Sequence, residues 1–471
     1  MSRNQRALLS LIFCLAPGQR AFAQLTLSAA LQRADQSAFA NRIAESATAE
    51  KRAQAIAPLN GILPNIRVEA GYVRTTDPIG AFGATLRQRS ITQADFEPSH
   101  LNYPGAIPNY QGGIVVEQPL LNADAWLGRR AALRATDATR ELESWTRLSI
   151  RVDVVRAYYA TVLAAERVTM LRAASRAAHA HQAQAESMVR QGVVTKSDAL
   201  LAGVRAGDID AQLAEAHGNA MTAGRQLAVL LGGDDAAGAM NIAAPNTLPS
   251  AERIRAVVEA DTTYSDALPR ADVDASARAL EAARADALRA RATYLPRINS
   301  FARYDWNSPN HLYGGDGNWT VGVMATWNPF AGASEISGVR ATSARESSAR
   351  TQAEAAKANG RLQLEQTRTA LSVALTRLEI SERAVAQSAE AHRIVARKYE
   401  GGLASVTELL DAQTADTESA LAFAQARFTV IVDAAERRLA TGRDPATLAV
   451  LDDSSSAVDG TSRSTPDQDR Q

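Results

Sequence analysis

A single cysteine, Cys14, stands in 471 residues, and it lies within a stretch that reads as a leader. Disulfides and thiol chemistry are therefore excluded from the remainder. Aromatic residues make up only 5%, and alanine supplies much of the 46% hydrophobic share. That composition suits long helices meeting along narrow seams better than a thick core. After the leader no run of about eighteen consecutive apolar residues occurs, which excludes a transmembrane helix. The 51 basic residues balance 51 acidic ones without a dense Lys/Arg block, so no nucleic-acid surface is expected. The six histidines, His100, His179, His181, His217, His311 and His392, are scattered. His179 and His181, two apart on a helix, face different ways and make a poor metal pair. No nucleophile sits beside a His and an acid in a recognisable arrangement. Neither an enzyme nor a cofactor or metal is expected.

The leader itself has the secretory pattern. Arg3 and Arg6 form its charged region, Ala7 to Pro17 an apolar core too short to span a bilayer, and Ala21-Phe22-Ala23 a cleavage site. Removing residues 1–23 leaves 48 basic and 51 acidic residues, a net charge of −3. Cys14 follows Phe13, where a lipoprotein signal needs a small residue, so no lipid anchor is expected. An exported chain without a helical anchor is periplasmic, secreted or a β-barrel.

What remains is a duplication. Gly112 to Gln118 reads as a strand that stops at Pro119. A helical stretch follows, ending in Gly192 and Thr195-Lys196-Ser197-Asp198. The pattern recurs as Trp319 to Asn328, Pro329, a long helical stretch, then Tyr399, Gly402 and Ser405-Val406-Thr407-Glu408. Pro119 and Pro329 are 210 residues apart, and so are Gly192 and Gly402. Each copy is thus one structural unit of strands joined to very long helices.

Further strands precede these. Ile66, Val68, Ala70 and Tyr72 alternate with Arg67, Glu69 and Gly71, and Ile298 to Trp306 alternate likewise. Thr75 to Tyr110 reads as a long loop, and Gly314-Gly315-Asp316-Gly317 as a turn. Trp319, Val321, Val323, Ala325 and Trp327 share one strand face. Trp319 and Trp327 bracket a band of roughly 19 Å at a 45° tilt, close to an outer-membrane band between aromatic girdles. A soluble hairpin with one buried face fits these strands alone equally well.

The helices decide between the two. Asn122 to about Met188 would run about 100 Å, which no compact domain needs. Trp145, Leu148, Val152, Val155, Tyr159 and Val162 step by three and four, and Leu364, Leu371, Leu378, Val385, His392 and Tyr399 recur every seven residues, both coiled-coil seams. His392 reads as a packing residue. The expected divisions are a leader (1–23), a first repeat (24–231), a linker (232–269) with a short helix near Ser250 to Asp261, a second repeat (270–443) and a disordered tail (444–471). The fold class is mainly α with a small β part.

Leu63-Pro64 and Leu295-Pro296, the strand ends at Pro119 and Pro329, and above all Tyr399-x-x-Gly402 followed by Thr407-Glu408-Leu409-Leu410-Asp411-Ala412, all in a duplicated frame, resemble the TolC-type outer-membrane efflux family. The resemblance covers about Leu25 to Arg443. It implies a homotrimer in which each chain gives four strands to a shared twelve-stranded β-barrel and helices to a periplasmic α-barrel tunnel. Physics agrees that four strands cannot close a barrel and that open edges cannot face lipid; two chains or three would serve, and the resemblance implies three. It also implies a periplasmic adaptor docking at the helical tip around Gly192 and Gly402, and an inner-membrane pump beyond it.

Thr195-x-x-Asp198 and Ser405-x-x-Glu408 are capping boxes in register across the repeat, a sufficient reason for both acids. Asp411, three residues after Glu408 on the same helix face, lies beyond the first turn. In the resembling family, acids at Glu408 and Asp411 ring a closed periplasmic entrance, and an acid at Asp198 pairs with a tyrosine at Tyr399 and a basic residue two positions after Gly402. Here that position is Ala404, which removes the salt bridge and leaves a Tyr399–Asp198 hydrogen bond. The expected function is a passive exit duct of a tripartite efflux or type I secretion system. The alternative is a structural periplasmic coiled-coil protein or adhesin without a pore.

Overall fold

The computed structural model describes residues 25–233, 245–262, 269–330 and 332–452. The expected leader and the tail after Asp452 lie outside the described residues. In chain order the elements are α1 (Leu27–Ser37), α2 (Phe39–Gln54), β1 (Asn65–Thr75), α3 (Pro78–Arg87), α4 (Pro98–Asn102), β2 (Ile107–Leu121), α5 (Ala123–Arg190), α6 (Lys196–Leu230), α7 (Ala251–Thr262), α8 (Ala271–Ala292), β3 (Arg297–Ser308), β4 (Asp316–Thr326), α9 (Ser334–Glu400) and α10 (Val406–Ala440). The duplication is plain in this order: α2, β1, β2, α5 and α6 are answered by α8, β3, β4, α9 and α10.

The helix of 68 residues, α5, and its 67-residue counterpart α9 each extend about 100 Å. Near the sheet, α5 packs against α2 and α8, and α9 against α8. Toward the other end α5 pairs with α6 and α9 with α10. The stepped residues of the first seam behave as a seam should. Val152, Val155, Tyr159 and Val162 are buried, with Trp145 and Leu148 packed against them. In the second, Leu371, Leu378 and Tyr399 are buried.

The largest core lies midway, where α1, α5, α7 and α10 meet. Tyr158, Tyr159, Leu227, Ile254, Leu378, Ile431 and Leu448 are fully enclosed there. Each such side chain contributes about 2 kcal/mol by leaving water. A buried ion pair between Glu166 of α5 and Arg427 of α10 fixes the linker to this core. Glu166 accepts the Leu248 N–H at 2.9 Å, and Arg427 donates to the Leu248 carbonyl at 3.1 Å.

The four strands form one antiparallel sheet in the order β1-β2-β3-β4, so the two repeats join at β2–β3. Register sorts the side chains by face. Val68, Ile114, Tyr304 and Trp319 lie opposite one another in one row, and Ile66, Val116, Ala302 and Val321 in another. On the other face, Glu69, Gly113, Asp305 and Asn318 form a row, as do Gly71, Gln111, Asn307 and Asp316. One face is therefore apolar and the other polar. Gly112 permits a close approach on the apolar face: a Cβ there would fall 2.2 Å from the Trp306 ring. β1 and β4 are open edges within the chain.

Four expectations need correction. The segment from Leu27 to about Ala57, whose pattern reads as helical, is two helices, broken at Ala38, where ψ is 130°. The break is tolerated because the Asn41 side chain donates to the Ala34 carbonyl and Ser37 to the Leu231 carbonyl. The stretch from Thr75 to Tyr110 is not an irregular loop but holds α3, a 3-10 turn at Gln93–Phe96 and α4. β2 does not stop at Pro119; it continues to Leu121 through an irregularity between those two residues, which absorbs the donor that proline lacks. Residues 444–452 of the tail are ordered. Pro445–Leu451 is a 3-10 helix whose Leu448 and Leu451, three apart on one side, enter the core. Asp452 then accepts from the Tyr158 hydroxyl at 2.6 Å, the Tyr159 hydroxyl at 3.0 Å and the Leu27 N–H at 2.8 Å.

Candidate functional site at the helical tip

The ends of α5 and α9 remote from the sheet close in the same way. Gly192 and Gly402 follow the last helical turns with φ of +73° and +70°. A residue with a Cβ adopts this left-handed conformation only under strain. Val193 N–H then donates to Met188 at 2.9 Å and Leu403 N–H to Lys398 at 2.8 Å, a 6→1 closure in both copies. Neither glycine has another atom within 4 Å of a built Cβ, so both face open space. Leu403 projects beside them, 82% exposed, with Val193 also exposed.

The next helices start with the expected capping boxes. Thr195 Oγ accepts the Asp198 N–H, and Asp198 accepts the Thr195 N–H at 3.0 Å. Ser405 Oγ accepts the Glu408 N–H at 3.2 Å, and Glu408 accepts the Ser405 N–H at 3.2 Å. Beneath these turns, Ala185, Ala202, Tyr399, Val406, Leu409 and Leu410 form a small apolar core, with Ala404 packed on it.

Leu409 and Leu410 point inward, so Glu408 and Asp411, on either side of them in sequence, are left on the exposed face of α10. Among the described residues Asp411 has no hydrogen-bond or ion-pair partner. Tyr399 is 2% exposed, and its hydroxyl is enclosed without a hydrogen-bond partner among the described residues. The expected Tyr399–Asp198 hydrogen bond is thus not formed. Asp198 instead closes the capping box, its Oδ2 accepting from the backbone and hydroxyl of Thr195. Its charge is still felt: burial first, and Asp198 second, raise the Tyr399 pKa.

Two turns above lies a polar seam that sequence reasoning missed. The His181 and His392 rings meet edge to face at 6.4 Å across α5 and α9. His392 Nδ1 lies 3.2 Å from Asp416 of α10, while its Nε2 is buried without a hydrogen-bond partner among the described residues. His392 is therefore more than packing. Burial, then the His392 charge, push the His181 imidazole below its usual value, against an opposing pull from Glu400. The available signal was that His392 occupies a heptad position in a seam otherwise largely apolar. Among the described residues no group of three His, Cys, Asp or Glu is placed to hold a metal.

At the other end of the molecule, Trp319 and Trp327 are both exposed. Trp327 lies just past β4, and its indole N–H donates to the Tyr294 carbonyl at 3.0 Å. Trp319 stands in the row of Tyr304, with Tyr72, Tyr110 and Trp306 nearby on the same face.

The family model for outer membrane efflux proteins matches residues 30–233 and 264–443. The chain belongs to the outer membrane efflux protein family. Its fold is shared with several solved structures. A membrane protein from Pseudomonas aeruginosa matches with a TM-score of 0.74 at 21% identity, over 88% of this chain and 93% of that one. The outer membrane protein VceC of Vibrio cholerae matches with 0.73 at 17% identity, over 89% and 96%. The CmeC outer membrane channel of Campylobacter jejuni matches with 0.73 at 16%, over 90% and 88%. No curated protein matches by sequence. This efflux protein has no helix among its described residues long and apolar enough to cross a membrane.

Proposed function

We propose that three copies of this efflux protein form a passive outer-membrane exit duct, the outer component of a tripartite efflux or type I secretion system. The observation that carries the reading is the sheet. It has an apolar and a polar face and two open edges, and it caps helices about 100 Å long. A lipid-exposed sheet must close. Three chains would supply twelve strands to one barrel, apolar face outward, with Trp319 and Trp327 at the two membrane interfaces.

The helices then extend into the periplasm, and the tip at Gly192 and Gly402 meets a periplasmic adaptor, which couples the duct to an inner-membrane pump. Glu408 and Asp411 face the entrance, six carboxylates in a trimer, with Asp198 and Tyr399 shaping the turn behind them. Such a ring attracts cations. No enzymatic step is assigned. The test is the state of the protein extracted from outer membranes: a trimer whose gel mobility changes on heating supports the reading, and a soluble periplasmic monomer refutes it.

A further inference from the structure

The connection between β1 and β2 lies at the end of the sheet remote from the long helices, as does that between β3 and β4. Instead of extending away from the sheet, the first connection turns back onto its polar face. Gln88, just after α3, donates to the Pro108 carbonyl at 2.8 Å and to Asn109 Oδ1 at 2.9 Å. Asn109 donates in turn to Asn307 Oδ1 at 2.9 Å. Asn109 and Asn307 are only 5% and 4% exposed. Arg89 reaches further, to Asp316 at 3.3 Å and the Gly317 carbonyl at 3.2 Å on β4. It does so from φ of +51°, an uncommon conformation for arginine. The segment is anchored from β2 across β3 to β4.

α3 is itself well built. Asp77 caps it by accepting the Gly80 N–H at 2.7 Å, and Pro78 occupies its first turn. Ala81 and Ala84 are buried, and Phe82 meets Phe96 edge to face at 5.8 Å. Leu86 and Arg87 overhang a polar recess of about 560 Å³ lined by Glu69, Gln111, Arg303 and Asp305.

We infer that α3 is an inward-folded constriction at the outer mouth of the duct, a second narrowing in series with the helical tip. This rests on the barrel reading above, because only there does the polar face become a lumen. The dimensions carry it. Twelve strands spaced about 4.8 Å and tilted about 40° give a bore of about 24 Å between backbones. An α-helix with its side chains is about 10 Å across. Three copies of α3 on the inner wall leave room only for narrow or flexible solutes. The duct therefore discriminates by cross-section at its outer end.

The test uses intact cells bearing the full-length protein with Met324→Cys, on the polar face well below α3, or Val323→Cys, on the apolar face. Unmodified protein controls for Cys14. Cells are treated from outside with a small membrane-impermeant maleimide or with a bulky polyethylene-glycol maleimide. The expected result is that the small reagent labels Met324→Cys and not Val323→Cys, while the bulky one labels neither. Adding Gln88→Ala and Arg89→Ala should then speed bulky labelling of Met324→Cys about tenfold, the population change expected when anchoring hydrogen bonds are lost. Replacing residues 78–103 with a short Gly-Ser linker is a second route to the same gain. Bulky labelling that is equally fast with the original segment, or that stays blocked in both altered forms, overturns the constriction. Failure of the small reagent to distinguish Met324→Cys from Val323→Cys instead overturns the barrel reading beneath it.

Discussion

The Tyr399 hydroxyl is buried at the helical tip and makes no hydrogen bond to Asp198, whose carboxylate is held by Thr195. An enclosed hydroxyl without a partner costs stability, so removing it should not harm the protein. Tyr399→Phe is expected to leave thermal stability unchanged or raise it by up to about 1 kcal/mol, with resting conductance unaltered. A destabilised or leaky variant would mean that the hydroxyl finds a partner on another chain.

Gly192 and Gly402 share a left-handed conformation and open surroundings. Alanine at either should cost about 1 kcal/mol of local stability through backbone strain alone. Gly402→Trp should add bulk at the docking surface and abolish export while the oligomer still assembles. Export assays alongside native gels separate the two effects. Normal export by bulky variants at both glycines would show that the tip is not the adaptor contact.

Much of this molecule is legible in its sequence. The strands announce themselves by alternation, and the glycines and capping boxes mark the tip because turn geometry and orphan N–H groups restrict what can stand there. Other features are not local. The ordering of Pro445–Leu451 depends on Tyr158, Tyr159 and Leu27, hundreds of residues away. The inward fold of α3 depends on Asn307 and Asp316 in the other repeat. Composition suggested an irregular segment there because glycine and proline were read as loop formers, whereas Pro78 starts a helix. The Tyr399–Asp198 contact is not formed; Asp198 turns instead to Thr195, three residues away in sequence.

Glu408 caps α10, whereas Asp411 has no partner among the described residues. Glu408→Ala should cost about 1 kcal/mol of helix stability and weaken cation preference. Asp411→Ala should leave stability unchanged yet lower cation selectivity and weaken block by multivalent cations. Bilayer recordings and thermal melts of both variants check this. A change in stability with no change in selectivity for either variant would make these acids surface groups only.

Burial and His392 lower the His181 pKa, so the unfolded chain takes up a proton at higher pH than the folded one. Protons then favour the unfolded form. Stability of the α5–α9 contact is full above the usual histidine value of about 6.5 and falls as pH drops through and below it. His392, itself paired with Asp416, and Glu400 remain in a His181→Gln variant. That variant should resist limited proteolysis at acidic pH better than the unmodified protein, with little difference at pH above neutrality. Equal acid sensitivity would place the titrating group elsewhere.

The most direct measurement is single-channel recording of the purified, heat-modifiable oligomer in a planar bilayer. A trimeric duct with carboxylates at its entrance should insert in discrete conductance steps that prefer cations and are reduced by multivalent cations added on the side of the helical tip. Absence of any conductance from a correctly folded, membrane-extracted oligomer would contradict the duct.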